Sequence, residues 1–415
     1  MNRLVKKSSI HGRITAPSSK SDLQRLFVCA MLSNGTSEIE FQSLNEDSEA
    51  VLNIAKLTGS NIAYLQNRIK ITGGFNNPQL LLNVGESGLG LRMLAPVLAA
   101  TGYAFEIHGK GSLLKRPVGF VVEALRSAGV SVKCPDNSLP LSIKGPITVD
   151  HISLDGSVGS QLLTGFLMAA PLLNRHITIE VENLKSRPYI DLTISILNQF
   201  GIDIHHHQYE KFEILGGQNY KAVAVKADGD WSGIAFMLVA AAISGEIAVE
   251  GIRIDSPQGD KVIIEVLKNC GAEVITDQNS VKVRKNQLKA FEFDATDVPD
   301  LFPPLVALAL NCTGKSVIKG VSRLKNKESD RGQTLQSEFN KIGANIIIDN
   351  DMMIIEGTSL YGGKVYSHND HRIAMALAIA GLNSNDAISI ENSEAVGKSW
   401  PDFFENLKEL GAIIE

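Results

Sequence analysis

The chain has 415 residues, more than one hydrophobic core usually supports, so its length predicts two domains. Apolar residues make up 44% of the sequence and charged residues 20%, which is the composition of an ordinary soluble globular protein. The formal net charge of −5 argues against nonspecific nucleic-acid binding, which favours a basic surface, although it leaves room for a local basic cleft.

No targeting or membrane segment is indicated by the apolar residues. Residues 1–7 carry basic side chains and lack the apolar core of a signal peptide. Apolar runs such as residues 162–173 are too short or too interrupted to span a bilayer. The four cysteines are far apart and form no C-x-x-C motif, which is typical of reduced thiols. We therefore expect a cytoplasmic protein.

The first predicted helix begins within the stretch from Pro17 to Arg25. A serine at position 18 or 19 can cap it, apolar residues follow at helical spacing, and Asn34-Gly35 closes it. Lys20 and Ser21 then lie at the positive end of the helix dipole, which predicts an anion site. A capped helix with solvated charges would explain this stretch on its own, and only its repetition along the chain favours the anion site.

A short sequence pattern recurs along the chain: the end of a predicted helix, a glycine and the start of a predicted strand. Each glycine fits a helix C′ position, where a left-handed backbone costs least in glycine. The six glycines are 68 to 72 residues apart, at positions 59, 129, 201, 271, 343 and 411. They predict six copies of one supersecondary unit, three in each domain, with a crossing between domains near residues 226–230.

The third copy illustrates the predicted content of a unit. We expect helices at residues 160–173 and 188–200, and strands at residues 177–182 and 202–206. Each unit would then hold two helices and several strands, and a period near 70 residues is too long for the common solenoids.

Cations recur at or just before the predicted helix starts, where they oppose the helix dipole. These residues are Lys20, Arg116, Lys327, Arg331, Arg372 and Lys398. Six such residues imply a compensating negative partner, and a multiply charged anionic ligand is the simplest one.

Eight motifs in this order resemble those of the 5-enolpyruvylshikimate-3-phosphate synthase family of enolpyruvyl transferases. They are Pro17-Ser18-Ser19-Lys20-Ser21 with Arg25, Arg116-Pro117, Ser160-Gln161, Ser186-Arg187-Pro188-Tyr189, Pro299-Asp300, Lys327-Glu328-Ser329-Asp330-Arg331, Asn369-Asp370-His371-Arg372 and Gly397-Lys398. The match runs nearly the whole chain, and the two longest charged motifs are highly specific together.

The resemblance implies an α/β (α+β) fold of two similar domains. Each would contain three βαβαββ units around buried parallel helices, as an inside-out α/β barrel, and a two-strand hinge would join the domains. One domain would comprise residues 1–18 plus 229–415, and the inserted domain residues 19–228. Ligands would bind between the domains, which would close over them.

The reaction that the resemblance implies transfers the enolpyruvyl group of phosphoenolpyruvate to the 5-hydroxyl of shikimate 3-phosphate. Phosphate would leave through a tetrahedral intermediate, in a step of the shikimate pathway of aromatic amino acid biosynthesis. The implied partners are these two small molecules, with no cofactor, metal, nucleic acid or membrane, and the chain would be a monomer.

Site roles carry over from the family by position. Shikimate 3-phosphate would be bound by Lys20, Ser21, Arg25, Ser160, Gln161, Ser186, Tyr189, Asp300 and Lys327. Phosphoenolpyruvate would be bound by Lys20, Gly88, Arg116, Gln161, Arg331, Arg372 and Lys398. The catalytic set would be Asp300, Glu328, Lys20 and Lys327. In this set Asp300 takes the hydroxyl proton and Glu328 protonates the methylene carbon of phosphoenolpyruvate.

Four positions depart from the family pattern. The family's Asn-x-Gly-Thr segment is Glu86-Ser87-Gly88-Leu89 here, which leaves any sensitivity to glyphosate open. Gly159 stands where the family often has serine, and Arg323 stands where some members have asparagine.

Three alternative functions fit the sequence less well. The sister UDP-N-acetylglucosamine 1-carboxyvinyltransferases carry Lys-Asn and a loop cysteine, whereas here Lys20 precedes Ser21 and no cysteine lies near residues 113–116. An inactive anion-binding protein is disfavoured by the intact catalytic set. A nucleic-acid-binding repeat protein is disfavoured by charge and by the lack of an aromatic-basic platform.

Three local patterns have simpler explanations than a site. Residues 205–207 are three histidines, but neighbours on a strand point to opposite faces, which disfavours a metal site. Residues 357–364 have the wrong spacing for a P-loop and indicate a turn. His371 remains open between a base and a structural hydrogen bond.

Overall fold

The computed structural model describes residues 1–415. Its α-helices are α1 (Lys20–Leu32), α2 (Glu46–Leu57), α3 (Gly88–Ala100), α4 (Gly119–Ser127), α5 (Gln161–Ala169), α6 (Pro188–Gln199), α7 (Trp231–Ser244), α8 (Ile263–Asn269), α9 (Phe302–Leu310), α10 (Arg331–Lys341), α11 (His371–Gly381) and α12 (Phe403–Glu409). None of these helices has the length and hydropathy needed to cross a membrane.

The strands are short and frequent. They are β1 (Asn2–Lys6), β2 (His11–Thr15), β3 (Thr36–Glu40), β4 (Asn61–Leu65), β5 (Arg68–Thr72), β6 (Leu81–Asn83), β7 (Ala104–His108), β8 (Ser131–Lys133), β9 (Leu141–Lys144), β10 (His151–Asp155), β11 (Ile177–Glu182), β12 (His205–His207), β13 (Lys211–Ile214), β14 (Ala224–Lys226), β15 (Glu246–Glu250), β16 (Glu273–Asp277), β17 (Ser280–Arg284), β18 (Glu292–Asp294), β19 (Lys315–Lys319), β20 (Asn345–Asp349), β21 (Met352–Glu356), β22 (Gly363–Tyr366), β23 (Ile388–Glu391) and β24 (Ile413–Ile414).

The chain divides into two compact units. The first combines Met1–Ser19 with Asp228–Glu415, and the second is Lys20–Ala227. The chain therefore passes from one unit to the other twice, after Ser19 and after Ala227. Each unit encloses its own cluster of buried apolar side chains.

Six four-stranded sheets share one topology. In β10-β11-β13-β12, the first pair is parallel and the next two pairs are antiparallel. The same pattern holds for β14-β3-β5-β4, β6-β7-β9-β8, β2-β15-β17-β16, β18-β19-β21-β20 and β22-β23-β1-β24. Each sheet with its two helices is a βαβαββ unit, so the predicted fold class is confirmed.

Three of the six units are completed by a strand from a distant part of the chain. β14 joins β3 in parallel, β2 joins β15 in parallel, and β1 lies between β23 and β24. The other three units are contiguous in sequence.

Six helices are almost wholly enclosed, because they are apolar on every side. All residues of α7, α9 and α11 are buried in the first unit. In the second unit α1, α3 and α5 are buried over most of their length. The polar residues of such helices are concentrated at the helix starts. The candidate site described below is built from these residues.

The six repeat glycines adopt the left-handed conformation that their spacing predicts. Their φ angles are +113° at Gly59, +82° at Gly129, +77° at Gly201, +101° at Gly271, +94° at Gly343 and +104° at Gly411. The helix C′ prediction is therefore confirmed at all six positions.

Two predicted boundaries in the third copy are wrong. The helix expected at 160–173 ends at Ala169 and continues as a 3-10 turn, Ala170–Leu172, because Pro171 lacks a backbone N–H. The strand expected at 202–206 begins at His205. The N–H of Ile202 closes α6 by donating to the carbonyl of Leu197 (3.0 Å), so it is unavailable to the sheet.

We expect Gly59→Ala to lower the free energy of unfolding by about 2–4 kcal/mol, because a steric clash adds to left-handed strain. A Cβ at Gly59 would lie 2.4 Å from the backbone nitrogen of Asn76. Gly102 is the matched control, since its φ is +78° but nothing lies within 4 Å of the added Cβ. Gly102→Ala should cost only about 1 kcal/mol. Equal losses in urea unfolding would show that the contact with Asn76 is unimportant.

Candidate active site

The starts of the three buried helices in the first unit are held together by polar contacts. Asp370 caps α11 by accepting the N–H of Arg372 (3.0 Å), and Asp230 caps α7 by accepting that of Gly233 (3.1 Å). Asp300 lies in the 3-10 turn Pro299–Leu301 that leads into α9. The Arg372 side chain joins all three starts, donating to Asp300 (3.1 Å) and to the Ser232 carbonyl (3.5 Å).

Asp300 is the common partner of three cations. Its Oδ1 lies 3.2 Å from Lys327 Nζ and 3.0 Å from Arg331 Nη1, and its Oδ2 lies 3.1 Å from Arg372 Nη2. Burial raises the pKa of Asp300, but Arg372, Lys327 and Arg331 together outweigh burial and hold that pKa well below its ordinary value. Asp300 is therefore a strongly stabilised carboxylate with weak basicity in this arrangement.

Arg331 joins three carboxylates while only 1% of the residue is exposed. It forks onto Asp370 through Nε (2.8 Å) and Nη2 (3.2 Å), and it also pairs with Glu328 and Asp300. Burial lowers the pKa of Arg331, but Asp370, Glu328 and Asp300 raise it by more. One guanidinium thus fixes the relative positions of three acids.

A metal is not needed to explain the acids of this cluster. Ligand atoms of Glu328, Asp370 and His371 lie within 4.8 Å of one another, a separation that could suit a cation. The Arg331 guanidinium already hydrogen-bonds both carboxylates, which makes the cluster an ion-pair network. We assign no metal to it.

Lysines complete the site in the first unit. Burial lowers the pKa of Lys327, and Asp300 opposes this effect. Lys398 Nζ donates to the Asn369 carbonyl just before α11 (2.7 Å). The prediction that Lys398 lies at the start of the last helix is wrong, because it ends the 3-10 helix Ser393–Lys398 and α12 begins only at Phe403.

The second unit places Lys20 in the first turn of α1, beside an acid. Lys20 Nζ lies 3.1 Å from Asp47 Oδ2, and both side chains are mostly buried. One turn later, the Gln24 amide oxygen accepts the hydroxyl of Ser87 (3.0 Å). Ser87 in turn caps α3 by accepting the N–H of Gly90 (2.9 Å), which ties the starts of α1 and α3 together.

Arg25 is buried among neutral oxygens. Its Nε donates to the Thr193 hydroxyl (2.9 Å) and its Nη1 to the Ser21 carbonyl (2.8 Å), while Nη2 lies 3.4 Å from Thr164 Oγ1 and from the Tyr189 carbonyl. Burial lowers the pKa of Arg25 to about 10, so it stays charged at neutral pH. Both threonines are contacts that no sequence motif indicated.

Gly88, the first residue of α3, leaves room for the Arg116 guanidinium beside that helix. A Cβ on Gly88 would lie only 2.9 Å from Arg116 Nη1. Arg92, absent from the predicted set, donates to the Gln161 side-chain oxygen (2.7 Å). Arg116 also donates to Ser112 Oγ (3.1 Å).

The positions that depart from the family pattern have structural roles. Glu86 accepts both the N–H and the hydroxyl of Ser112 at 2.8 Å, which anchors the loop before Arg116. Leu89 packs in the core of the second unit. The Arg323 Nε donates to the Thr296 carbonyl (3.3 Å). Gly159 adopts a left-handed φ of +136°, which a serine would tolerate poorly.

The two predicted phosphate-binding serines are both buried, and one has unusual geometry. Ser160 precedes α5, and Ser186 precedes α6 with a left-handed φ of +61°. A left-handed serine is strained, and such strain concentrates at functional sites.

Most of the cations near the helix starts have acidic partners within the chain, contrary to the prediction that an anionic ligand compensates them. Four of the six cations already pair with the chain's own carboxylates: Lys20 with Asp47, Lys327 and Arg372 with Asp300, and Arg331 with three acids. An anionic ligand is therefore not the simplest partner for these four. Except for Glu328, which is three residues from Arg331, these carboxylates are distant in sequence from the cations they pair with, so spacing does not reveal their proximity.

Comparison with known proteins agrees with this geometry. The family model for EPSP synthase (3-phosphoshikimate 1-carboxyvinyltransferase) matches residues 4–407. The 3-phosphoshikimate 1-carboxyvinyltransferase of Clostridium kluyveri is 37% identical over 415 aligned residues, which cover 99% of this chain and 97% of that protein. That of Methanocorpusculum labreanum is 35% identical, with 99% of each chain covered.

A solved structure gives the same result for the fold. EPSP synthase from Acinetobacter baumannii is 26% identical to this chain and has a TM-score of 0.85, covering 100% of this chain and 99% of that one. The resemblance found in the motifs is confirmed by both kinds of match. They show a transferase with 3-phosphoshikimate 1-carboxyvinyltransferase activity in the shikimate pathway of aromatic amino acid biosynthesis. The chain belongs to the EPSP synthase family.

Proposed function

We propose that the chain joins phosphoenolpyruvate to the 5-hydroxyl of shikimate 3-phosphate and releases inorganic phosphate. The observation that carries the proposal is the network around Asp300, in which one carboxylate meets Lys327, Arg331 and Arg372 at buried helix starts. A reaction between two anions needs cations that offset their repulsion and a separate base and acid. This network supplies the cations and both carboxylates.

The base in this proposal is Asp300, and substrate binding activates it. With Arg331 and Arg372 paired to it, Asp300 is too weakly basic to take a hydroxyl proton efficiently. The carboxylate of phosphoenolpyruvate would compete for the same two guanidinium groups, because they form fork-like pairs with carboxylates. Losing part of both pairs raises the pKa of Asp300 when the donor is in place.

The acid in this proposal is Glu328, which pairs with Arg331 in the ligand-free arrangement. Glu328 would protonate the methylene carbon as the 5-oxygen attacks the neighbouring carbon, giving the tetrahedral intermediate. Phosphate and one proton of the new methyl group would then leave, which restores the double bond. The cations that would bind the leaving phosphate are Lys20, Arg116 and Lys398.

The second unit would bind the acceptor. Ser21 and Arg25 would contact its carboxylate, and Ser160 and Ser186 its phosphate. Gln161 and Tyr189 would contact its ring. We also propose a cytoplasmic monomer, and the four free cysteines support the location.

Product analysis tests the proposal. Purified protein mixed with both substrates should release one phosphate for each acceptor consumed and form the enolpyruvyl ether. UDP-N-acetylglucosamine in place of shikimate 3-phosphate should give no phosphate. Binding of both substrates without phosphate release would identify an inactive anion-binding protein instead.

We expect Gly88→Ala to raise KM for phosphoenolpyruvate by about tenfold while KM for shikimate 3-phosphate changes little, since misplacing a bound group by a few tenths of an ångström weakens binding. The added methyl would displace the Arg116 guanidinium from its place beside α3. Gly90→Ala is the control, since its Cβ would be 3.1 Å from Ser87 and does not approach either arginine. An unchanged KM for phosphoenolpyruvate in Gly88→Ala would exclude Arg116 as a contact of that substrate.

A further inference from the structure

A buried carboxylate outside the motifs lies beside the proposed base. Asp260 is in the 3-10 helix Gly259–Val262, before α8, and is only 1% exposed. Its Oδ2 accepts a hydrogen bond from the hydroxyl of Ser232, the second residue of α7. No step of the proposed reaction uses either residue.

A short chain of contacts connects Asp260 to Asp300. The Ser232 carbonyl accepts Arg372 Nη1 at 3.5 Å, and Arg372 Nη2 donates to Asp300 Oδ2 at 3.1 Å. Charged groups on three neighbouring elements face Asp260: Asp230 before α7, Asp300 before α9 and Arg372 in α11. Arg372 thus lies in the field of two acids, the buried Asp260 and the partly buried Asp300, which compete for one guanidinium.

We propose that Asp260 is a positioning residue, which acts through Ser232 and Arg372 to keep Asp300 basic enough to accept the hydroxyl proton. The inference rests on the proposed function, since it takes Asp300 as the base. Negative charge on Asp260 repels negative charge on Asp300 and attracts Arg372 away from it. Both effects favour protonation of Asp300.

Asp260 itself titrates close to neutral pH. Burial and the nearby Asp300 raise the pKa of Asp260 to about 6, while the Ser232 hydrogen bond and Arg372 lower it. Above pH 6 Asp260 is charged and supports the base. As the pH falls through 6, it takes up a proton, Arg372 holds Asp300 more firmly, and turnover should fall.

The decisive variant is Asp260→Asn, which keeps the shape and can still accept the Ser232 hydrogen bond. We expect kcat at pH 7.5 to fall about tenfold, the effect of roughly one pKa unit in the basicity of Asp300. The acid limb near pH 6 should disappear from the kcat profile. The variant should melt no lower than the wild type, because an acid whose pKa is raised in the fold destabilises the folded state when charged. A purely structural role predicts the reverse, lower stability with an unchanged pH profile.

Ser232→Ala provides a second, independent measurement. Losing the hydroxyl removes a hydrogen bond that lowers the pKa of Asp260, so the acid limb should move to higher pH. Asp255→Asn is the control, because the Asp255 side chain is 84% exposed on the preceding loop. The dependence of kcat on pH in this variant should match that of the wild type.

Two results would overturn the inference in distinguishable ways. An inactive Asp300→Asn beside a wild-type kcat and pH profile in Asp260→Asn would overturn the role of Asp260 alone. Normal turnover by Asp300→Asn would overturn the base assignment, and the role of Asp260 with it.

Discussion

Asp300→Ala is expected to lower kcat by at least about 10²-fold, because a positioned base contributes 10²–10⁴-fold to such a proton transfer. Phosphate release at saturating concentrations of both substrates measures the loss. Asp300→Asn should lose as much activity, since an amide keeps the shape of the carboxylate but cannot accept the proton. Near-normal turnover in either variant would show that another group is the base.

The control for Asp300 is an acid in the same unit with one ordinary surface partner. Asp294 ends β18 and pairs with Lys319 at 3.1 Å, where both side chains are more than half exposed. Asp294→Ala should keep wild-type turnover. Equal losses at both positions would mean that the assay reports general destabilisation.

The free energy of unfolding should also depend on whether Asp300 is ionised. Its pKa is depressed in the fold, so it stabilises the folded state above the ordinary aspartate pKa of about 3.9. That contribution is lost as the pH falls through the lower, folded value. The difference in the free energy of unfolding between wild type and Asp300→Asn should therefore be present at pH 7 and vanish in strong acid.

Arg331→Met is expected to lower the free energy of unfolding by about 3–5 kcal/mol, since removing one partner leaves buried charge uncompensated. Three carboxylates, from Asp300, Glu328 and Asp370, would lose their shared guanidinium. Asp300 would keep Lys327 and Arg372, whereas Asp370 has 0% exposure and would lose its bidentate partner. The urea midpoint measures the loss.

The pH dependence separates this explanation from a packing defect. Arg331 is one of the cations that hold the pKa of Asp300 low, so Arg331→Met should raise that pKa, and part of the lost stability should return as the pH falls. Arg331→Lys restores a positive charge but not the bidentate hydrogen bonds of the guanidinium. Its free energy of unfolding should therefore lie between those of the wild type and Arg331→Met. A loss that is independent of pH would point to the cavity rather than to charge.

An exposed arginine with a similar set of partners gives the control. Arg68 pairs with Glu38 and Glu40, and its side chain is 49% exposed. Arg68→Met should cost less than about 1 kcal/mol, because solvent screens surface pairs. A cost equal to that of Arg331→Met would contradict the role of burial.

Much of the fold could be predicted because its signals are local. The six glycines close helices within a few residues of themselves, and each takes the backbone conformation that the position requires. The apolar segment of α11 indicates an enclosed helix from composition alone, and all of its residues are buried. The completion of three sheets by β1, β2 and β14 depends on pairing between distant segments, and no local spacing reveals it.

The site was less predictable, because sequence indicates charged residues but not their partners. The motifs identified Asp300 and its cations through their resemblance to a family. Nothing in the sequence marks Thr164 and Thr193 as partners of Arg25, or Asp260 as a buried acid. Burial of Asp260 arises only when its 3-10 helix packs against α7, so the structure was required to find it.

The interrupted first unit has a consequence for synthesis on the ribosome. β1 and β2 are synthesised before β23 and β15, the strands with which they pair. The continuous unit, Lys20–Ala227, can complete all three of its sheets in the meantime. After its own synthesis, β2 therefore stays unpaired while about 230 further residues are translated, and β1 while about 380 are. Translation adds several residues per second, and during this time both strands have exposed edges that a chaperone would be well placed to shield.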